Sequence, residues 1–277
     1  MKKKKVVNKK KRIKKISPKK TLSKKLTKKK VVKKNIIKKS SPKKILQRAK
    51  MGIPTLDKMM NGGYERESIN LVAGGSGAGK TIFAMEYLLA GIQKGEKALF
   101  ITFEEKKEEF YNNMKKFGWD LNKLEKEGKF FFLEYSPEKV KMMLDEGGGT
   151  IETIVLKENI KRMVIDSITS FSMLFETDLE KRQTTLGLFD IIRKWDVTTL
   201  LTVQDDPTDE KSTGLSSIEF EVDSIVLLYY LNVKGRRQRF IEILKMRGTS
   251  HCKEIRSFEI EKGIKIGKKA NLKNLIK

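Results

Sequence analysis

Gly74-Gly75-Ser76-Gly77-Ala78-Gly79-Lys80-Thr81 is the stretch from which the rest of this chain can be read. Before it lies a short apolar run, Ile69-Asn70-Leu71-Val72-Ala73; after it, the residues from Thr81 to Gly91 carry a helical pattern. A G-x-x-x-x-G-K-[ST] spacing has chemical meaning in that context, between a buried strand and a helix. Glycines let the backbone curl so that its N–H groups converge on an anion, and the helix N-terminus adds positive dipole. In this reading Lys80 reaches the β- and γ-phosphates of a nucleoside triphosphate, and the Thr81 hydroxyl ligates Mg²⁺. A glycine-rich turn that merely matches the spacing is the alternative, and the flanking strand and helix count against it.

Charge divides the chain sharply. Its 277 residues carry a formal net charge of +26. The first 50 positions hold 25 of the 61 basic residues and no acidic ones, leaving 36 basic against all 35 acidic side chains elsewhere. Residues 1–45 therefore read as a disordered lysine-rich tail, too self-repelling and too poor in apolar surface to fold alone. The remainder is near-neutral and long enough for one α/β domain with a real core. Within the tail, Ser17-Pro18-Lys19-Lys20 recurs as Ser41-Pro42-Lys43-Lys44. This string resembles a repeat of linker-histone tails. An electrostatic arm for nucleic acid is one reading of residues 1–45; a solubilising tail or contact with an anionic membrane surface are the others.

One cysteine, Cys252, excludes an internal disulfide framework and fits a reducing, cytoplasmic setting. With a single histidine, His251, beside it and no further ligands, it reads as structural. No apolar run approaches the roughly 20 residues of a membrane span, and the basic N-terminus lacks the apolar segment of a secretory signal.

Along the domain, Pro54-Thr55 opens a helix that Asn61-Gly62-Gly63 ends. Ala98 to Phe103 is the next buried strand, and Glu104 and Glu105 stand at its C-terminal end. Ligands of open parallel sheets bind at that edge, where a carboxylate can activate water for attack on a γ-phosphate. On position alone the pair fits equally as the start of a charged helix, Glu104 to Lys116. Phe130-Phe131-Phe132 reads as core strand rather than as a base-stacking platform, and Gly147-Gly148-Gly149 as a break between helices.

Arg162 to Ser167 is an apolar strand ending in Asp166, the place from which a carboxylate holds Mg²⁺ through its water shell. Residues 179–195 read as a helix, and Thr198 to Val203 as a strand ending at Gln204. The segment 205–217 is a polar, acid-rich loop, poorly suited to phosphate binding. Alternating apolar residues around Gly235 indicate antiparallel strands, followed by Lys245-Met246-Arg247-Gly248-Thr249-Ser250-His251.

Taken together, Gly52-Ile53-Pro54-Thr55-Leu56-Asp57, the phosphate-binding loop and Thr102-Phe103-Glu104-Glu105 resemble the KaiC-like branch of the RecA-superfamily ATPases over residues 46–268. The resemblance implies a RecA-like domain there, with residues 269–277 as a C-terminal tail. It implies ATP and Mg²⁺ as ligands, with Gly75, Ser76, Gly77, Ala78, Gly79, Lys80, Thr81 and Ile82 around the phosphates. Glu104 would be the catalytic base with Glu105 beside it; Gln204 stands where RecA-type folds place a γ-phosphate sensor, although many KaiC-like sequences carry Ser-Glu there. Lys245 and Arg247 match the family's K-x-R-G-x-x-H element, which reaches a neighbouring subunit's triphosphate, with Thr249 and His251 bordering that nucleotide. A homo-oligomeric ring, six subunits in the family, follows from the same likeness. Two other roles stay open at this level: a RadA/RadB-like filament-forming recombination factor, and a nucleotide-dependent assembly subunit resembling the archaellum ATPase partner.

Overall fold

The structure, a computed structural model, describes residues 48–136, 139, 142, 149–207 and 218–271. The lysine-rich tail, Gly147 and Gly148, positions 208–217 of the acidic loop and the last six residues lie outside the described residues.

The elements follow in the order β1 (Arg48–Ala49), α1 (Pro54–Met59), β2 (Tyr64–Glu65), β3 (Ile69–Gly74), α2 (Lys80–Ile92), β4 (Lys97–Thr102), α3 (Lys107–Lys115) and α4 (Leu121–Lys126). Then come β5 (Phe130–Glu134), α5 (Gly149–Glu158), β6 (Ile160–Asp166), α6 (Ile168–Ser172), α7 (Asp178–Ile192) and β7 (Thr198–Gln204). Two antiparallel hairpins end the described chain, β8 (Ser224–Val233) with β9 (Arg236–Met246), and β10 (Arg256–Ile260) with β11 (Ile264–Lys269).

Among the described residues a nine-stranded sheet runs β11-β10-β9-β8-β3-β7-β6-β4-β5. Its section from β8 to β5 is parallel, and the hairpins extend it antiparallel. Strands buried on both faces read as near-continuous apolar runs. β3 is one of these, with Val72 in the core on one face and Leu71 and Ala73 in the core on the other. Helices α1 to α4 cover the first face through residues such as Leu56, Phe83, Phe110 and Leu121. Helices α5 to α7 cover the second through Val155, Phe171 and Leu188. The result is a three-layer α/β sandwich. Phe130 and Phe132 lie in the first core, as strand residues should, and Cys252 packs against it.

A buried cation fastens the first layer to the sheet. Arg162, fully buried on β6, donates to Glu96 at 2.5 Å, to the Lys50 carbonyl at 2.6 Å and to the Tyr87 carbonyl at 2.7 Å. Burial alone would raise the Glu96 carboxyl, but hydrogen bonds and charge from Arg66 and Arg162 hold it below the usual carboxylate range. Among the described residues, no helix is long and apolar enough to cross a membrane.

Candidate nucleotide site

Parallel strands deliver their following loops to one edge, and here four of them converge. Gly74 of β3 lies in register with Gln204 of β7, and Thr102 of β4 with Asp166 of β6. The glycine loop therefore emerges beside Asp166 and the two glutamates.

The loop's glycines are needed where they stand. Gly77 and Gly79 have φ of +75° and +101°, which favour glycine. At Gly74 a Cβ would come within 2.6 Å of the Leu228 carbonyl. At Gly77 it would press on the Tyr230 ring at 3.2 Å, and at Gly79 on Ile260 at 2.5 Å. Thus the terminal hairpins, not only β3 and α2, shape the loop. Arg239 of β9 completes its support, donating from Nε and Nη2 to the Gly77 carbonyl at 3.1 and 3.0 Å while its guanidinium lies 4.5 Å from the centre of the Tyr230 ring.

Lys80 opens α2 and rests its Nζ on the Gly74 and Gly75 carbonyls, at 2.8 and 3.1 Å. Burial lowers its pKa, while the charges of Asp166 and Glu104 act in the other direction. The adjacent Thr81 hydroxyl donates to Asp166 Oδ2 at 2.8 Å. Thr202, from β7, donates to Asp166 Oδ1 at 2.5 Å. Hydroxyl and carboxylate oxygens in this arrangement suit a hard cation such as Mg²⁺. The glycine loop, the helix N-terminus and the inward-turned lysine likewise suit a polyphosphate.

Glu104 and Glu105 do not begin the following helix, which starts at Lys107. The Thr102 hydroxyl accepts both of their backbone N–H groups at 3.2 Å and keeps them at the strand end. Glu104 Oε1 accepts from the Ser167 hydroxyl at 3.3 Å. Burial pushes the Glu105 carboxyl up, and Asp166, Glu104 and Glu109 push it further. Gln204 ends β7 with its side chain exposed, its backbone N–H donated to the Thr169 hydroxyl at 2.8 Å.

A cleft of about 610 Å³ continues from Gly77, Gly79, Lys80, Thr81 and Ile82. Its far walls are Lys116 and Phe117 past α3, Arg239, and Ile260 and Glu261 of the terminal hairpin. None of these far-wall residues stands out in the sequence, because they come from separated segments of ordinary composition. Thr202 is equally inconspicuous inside an apolar strand.

Lys245 and Arg247 are not brought to this edge. Met246 pairs with Ser224, which is level with Asn70, whereas Leu228 is level with Gly74. Four strand residues separate these levels, about 13 Å along β3. Lys245 instead donates to the Glu219 and Val222 carbonyls at 2.7 and 2.9 Å. Arg247 donates to Asp223 Oδ1 at 3.2 Å and to the Phe220 carbonyl at 2.8 Å. Thr249 accepts from Arg48 at 2.7 Å, and His251 Nδ1 is 3.4 Å from the Thr249 carbonyl. The sequence-expected residues thus form two groups, one at each edge of the sheet.

Known proteins resemble this chain in sequence and fold. A protein-family profile described as "ATPase: KaiC" matches residues 49–271. The circadian clock protein KaiC3 of Synechocystis is 34% identical over 230 residues, which cover 80% of this chain and 46% of KaiC3. The chain therefore spans about half the length of that relative. A UPF0273 protein of Thermotoga maritima is 33% identical over 236 residues, covering 80% of this chain and 96% of its own length. Among solved structures, the KaiC-like protein PH0186 of Pyrococcus horikoshii superposes with a TM-score of 0.71 at 32% identity, over 80% of this chain and all of that one. A family profile matched over most of the domain, together with these identities, shows that the chain belongs to the KaiC family of ATPases.

Proposed function

We propose that the protein binds ATP with Mg²⁺ and hydrolyses it in a site shared between neighbouring copies of a closed, six-membered ring. One observation carries this reading most directly. The loop edge holds Lys80, Thr81, Asp166 and the two glutamates, while Lys245 and Arg247 project from the opposite edge. Cations placed there serve a triphosphate only on another copy. Phe220 on the turn beside them is 74% exposed and Leu244 is 44% exposed, apolar surface that a second copy would cover.

In this scheme residues 75–82 and the α2 N-terminus hold the phosphates, and Lys80 turns from its carbonyls to the γ-phosphate. The nucleoside enters the adjoining cleft, between Phe117 and Ile260, with the Glu261 carboxylate available to a ribose hydroxyl. When bound, Mg²⁺ neutralises phosphate charge, and Thr81 and Asp166 are the residues that would hold it. Glu104 takes the proton of the attacking water, with help from Glu105 beside it. Gln204 reports on the γ-phosphate. Arg247 and Lys245 of the neighbour stabilise charge on the transferred group, a contribution on the order of 10³–10⁵ in rate for an arginine finger. The output is regulatory or remodelling work on another molecule, carried out where the cytoplasm supplies ATP.

Mixing tests the shared site. Lys80→Ala and Arg247→Ala chains should each be nearly inactive, and together should recover part of the hydrolysis. If both fold and co-assemble but recover nothing, the shared site is wrong. Electron microscopy with ATP and single-stranded DNA separates the closed ring from a filament.

A further inference from the structure

Arg247 and Lys245 are held by a single turn, residues 218–223, and Asp223, its last residue, holds Arg247. Its Oδ1 accepts from Arg247, its Oδ2 accepts from the Ile69 N–H at 2.9 Å, and Arg193 at the end of α7 lies 3.7 Å from Oδ2. The backbone repeats the connection. The Asp223 N–H donates to the Ile69 carbonyl and the Arg247 N–H to the Asp223 carbonyl, each at 2.7 Å. Arg193 also donates to the Glu221 carbonyl at 2.7 Å, bracing the turn from behind.

Stability does not explain this arrangement. The Arg247 side chain is 54% exposed and that of Asp223 20%, and an ion pair with one partner in solvent adds little to stability. Geometry does explain it. Asp223 and the Phe220 carbonyl engage both terminal nitrogens of the Arg247 guanidinium. That uses two of its five N–H donors, fixes the plane, and leaves the others to an oxyanion. A flexible arginine would have to be ordered at each encounter; one held in advance would not.

We propose that Asp223 is a positioning residue, a clasp that pre-orients Arg247 for the phosphate of a neighbouring copy. The proposal rests on the shared-site reading above, and it adds that the donating subunit must present its arginine already fixed. The clasp also bonds directly to the first residue of β3, whose last residue opens the donor's own phosphate-binding loop.

Asp223→Asn tests the clasp, because the amide oxygen can still accept from Ile69 while the charge facing Arg247 is lost. The substitution is placed in one partner of the mixed assembly at a time. Carried by the Lys80→Ala chain, which only donates cations, it should cut recovered hydrolysis about tenfold to a hundredfold, the scale of a misplaced catalytic group. Carried by the Arg247→Ala chain, which only supplies the loop, it should leave recovery unchanged. Arg193→Gln, at a residue whose hydrogen bond goes to the Glu221 carbonyl rather than to β3, should give a smaller loss with the same donor-only pattern. It also serves should Asp223→Asn unfold. Equal loss from both partners would mark Asp223 as merely structural. No loss, or a gain, from the donor would mean that the turn restrains Arg247 rather than presents it. Either result overturns the clasp while leaving the shared site intact. If the parent mixture recovers nothing, the shared site falls and the clasp falls with it.

Discussion

Asp166 shows what single residues do at this site. A carboxylate at a strand end has two oxygens to satisfy, and here two hydroxyls take one each, Thr81 at 2.8 Å and Thr202 at 2.5 Å. Thr202 is fully buried on β7, so its hydroxyl serves Asp166 rather than solvent. Partners of metal-holding groups typically contribute 10- to 100-fold in metal affinity. Thr202→Val keeps the shape and removes the hydroxyl. It should weaken Mg²⁺-dependent nucleotide binding about tenfold and leave binding in EDTA unchanged, as measured by titration with a fluorescent nucleotide. Equal affinity with and without the hydroxyl would remove Thr202 from the site. Lys80, Thr81 and Asp166 were legible because their spacing and strand context carry a phosphate chemistry. Thr202 was not, since threonine in an apolar run satisfies strand propensity and announces nothing more.

Elements were legible where one periodicity persists. The parallel strands are mostly apolar and α2 carries a helical pattern, so β3, β4, β6 and β7 were expected close to where they lie. β9 breaks its own rule. Ile241, Ile243 and Met246 all lie in the first core, which strict alternation from Ile241 and Ile243 does not allow. The register shift opposite Ile225 and Val226 resolves it, making Leu244 an extra residue and turning Lys245 and Arg247 towards the 218–223 turn. A bulge re-aims side chains in this way and leaves no compositional mark. The terminal hairpin was missed for a similar reason: charged residues dilute the pattern of β10 and β11, yet Ile260 walls the cleft. In α7, Gly187 sits mid-helix, and a Cβ there would meet nothing within 4 Å among the described residues. Gly187→Ala should stabilise the fold by about 0.5–1 kcal/mol, read as a rise in the denaturation midpoint at unchanged slope. A fall would mean that this face of α7 is occupied, most simply by another copy.

At the scale of the whole molecule, charge rather than packing separates the parts. The folded domain draws on nearly balanced charges, and Asp, Glu, Lys and Arg pair extensively on its surface. Such a surface has little net field with which to attract a polyanion. Residues 1–45 differ: every ionisable side chain in them is basic. If they bind nucleic acid, each phosphate they neutralise releases a counterion, and affinity falls with log salt at about 0.7–0.9 per contact. We therefore expect the full chain to be retained on DNA or RNA at low salt, with steep loss as salt rises. A chain lacking residues 1–45 should lose that retention and keep nucleotide binding, because the loop, Asp166 and the cleft all lie in the folded domain. A ring would multiply the effect, since several arms acting together bind more tightly than one. Dilution below the assembly threshold should then weaken retention even where the arm is intact. Retention unchanged by removing residues 1–45 would assign any nucleic-acid contact to the domain and leave the tail a solubilising role.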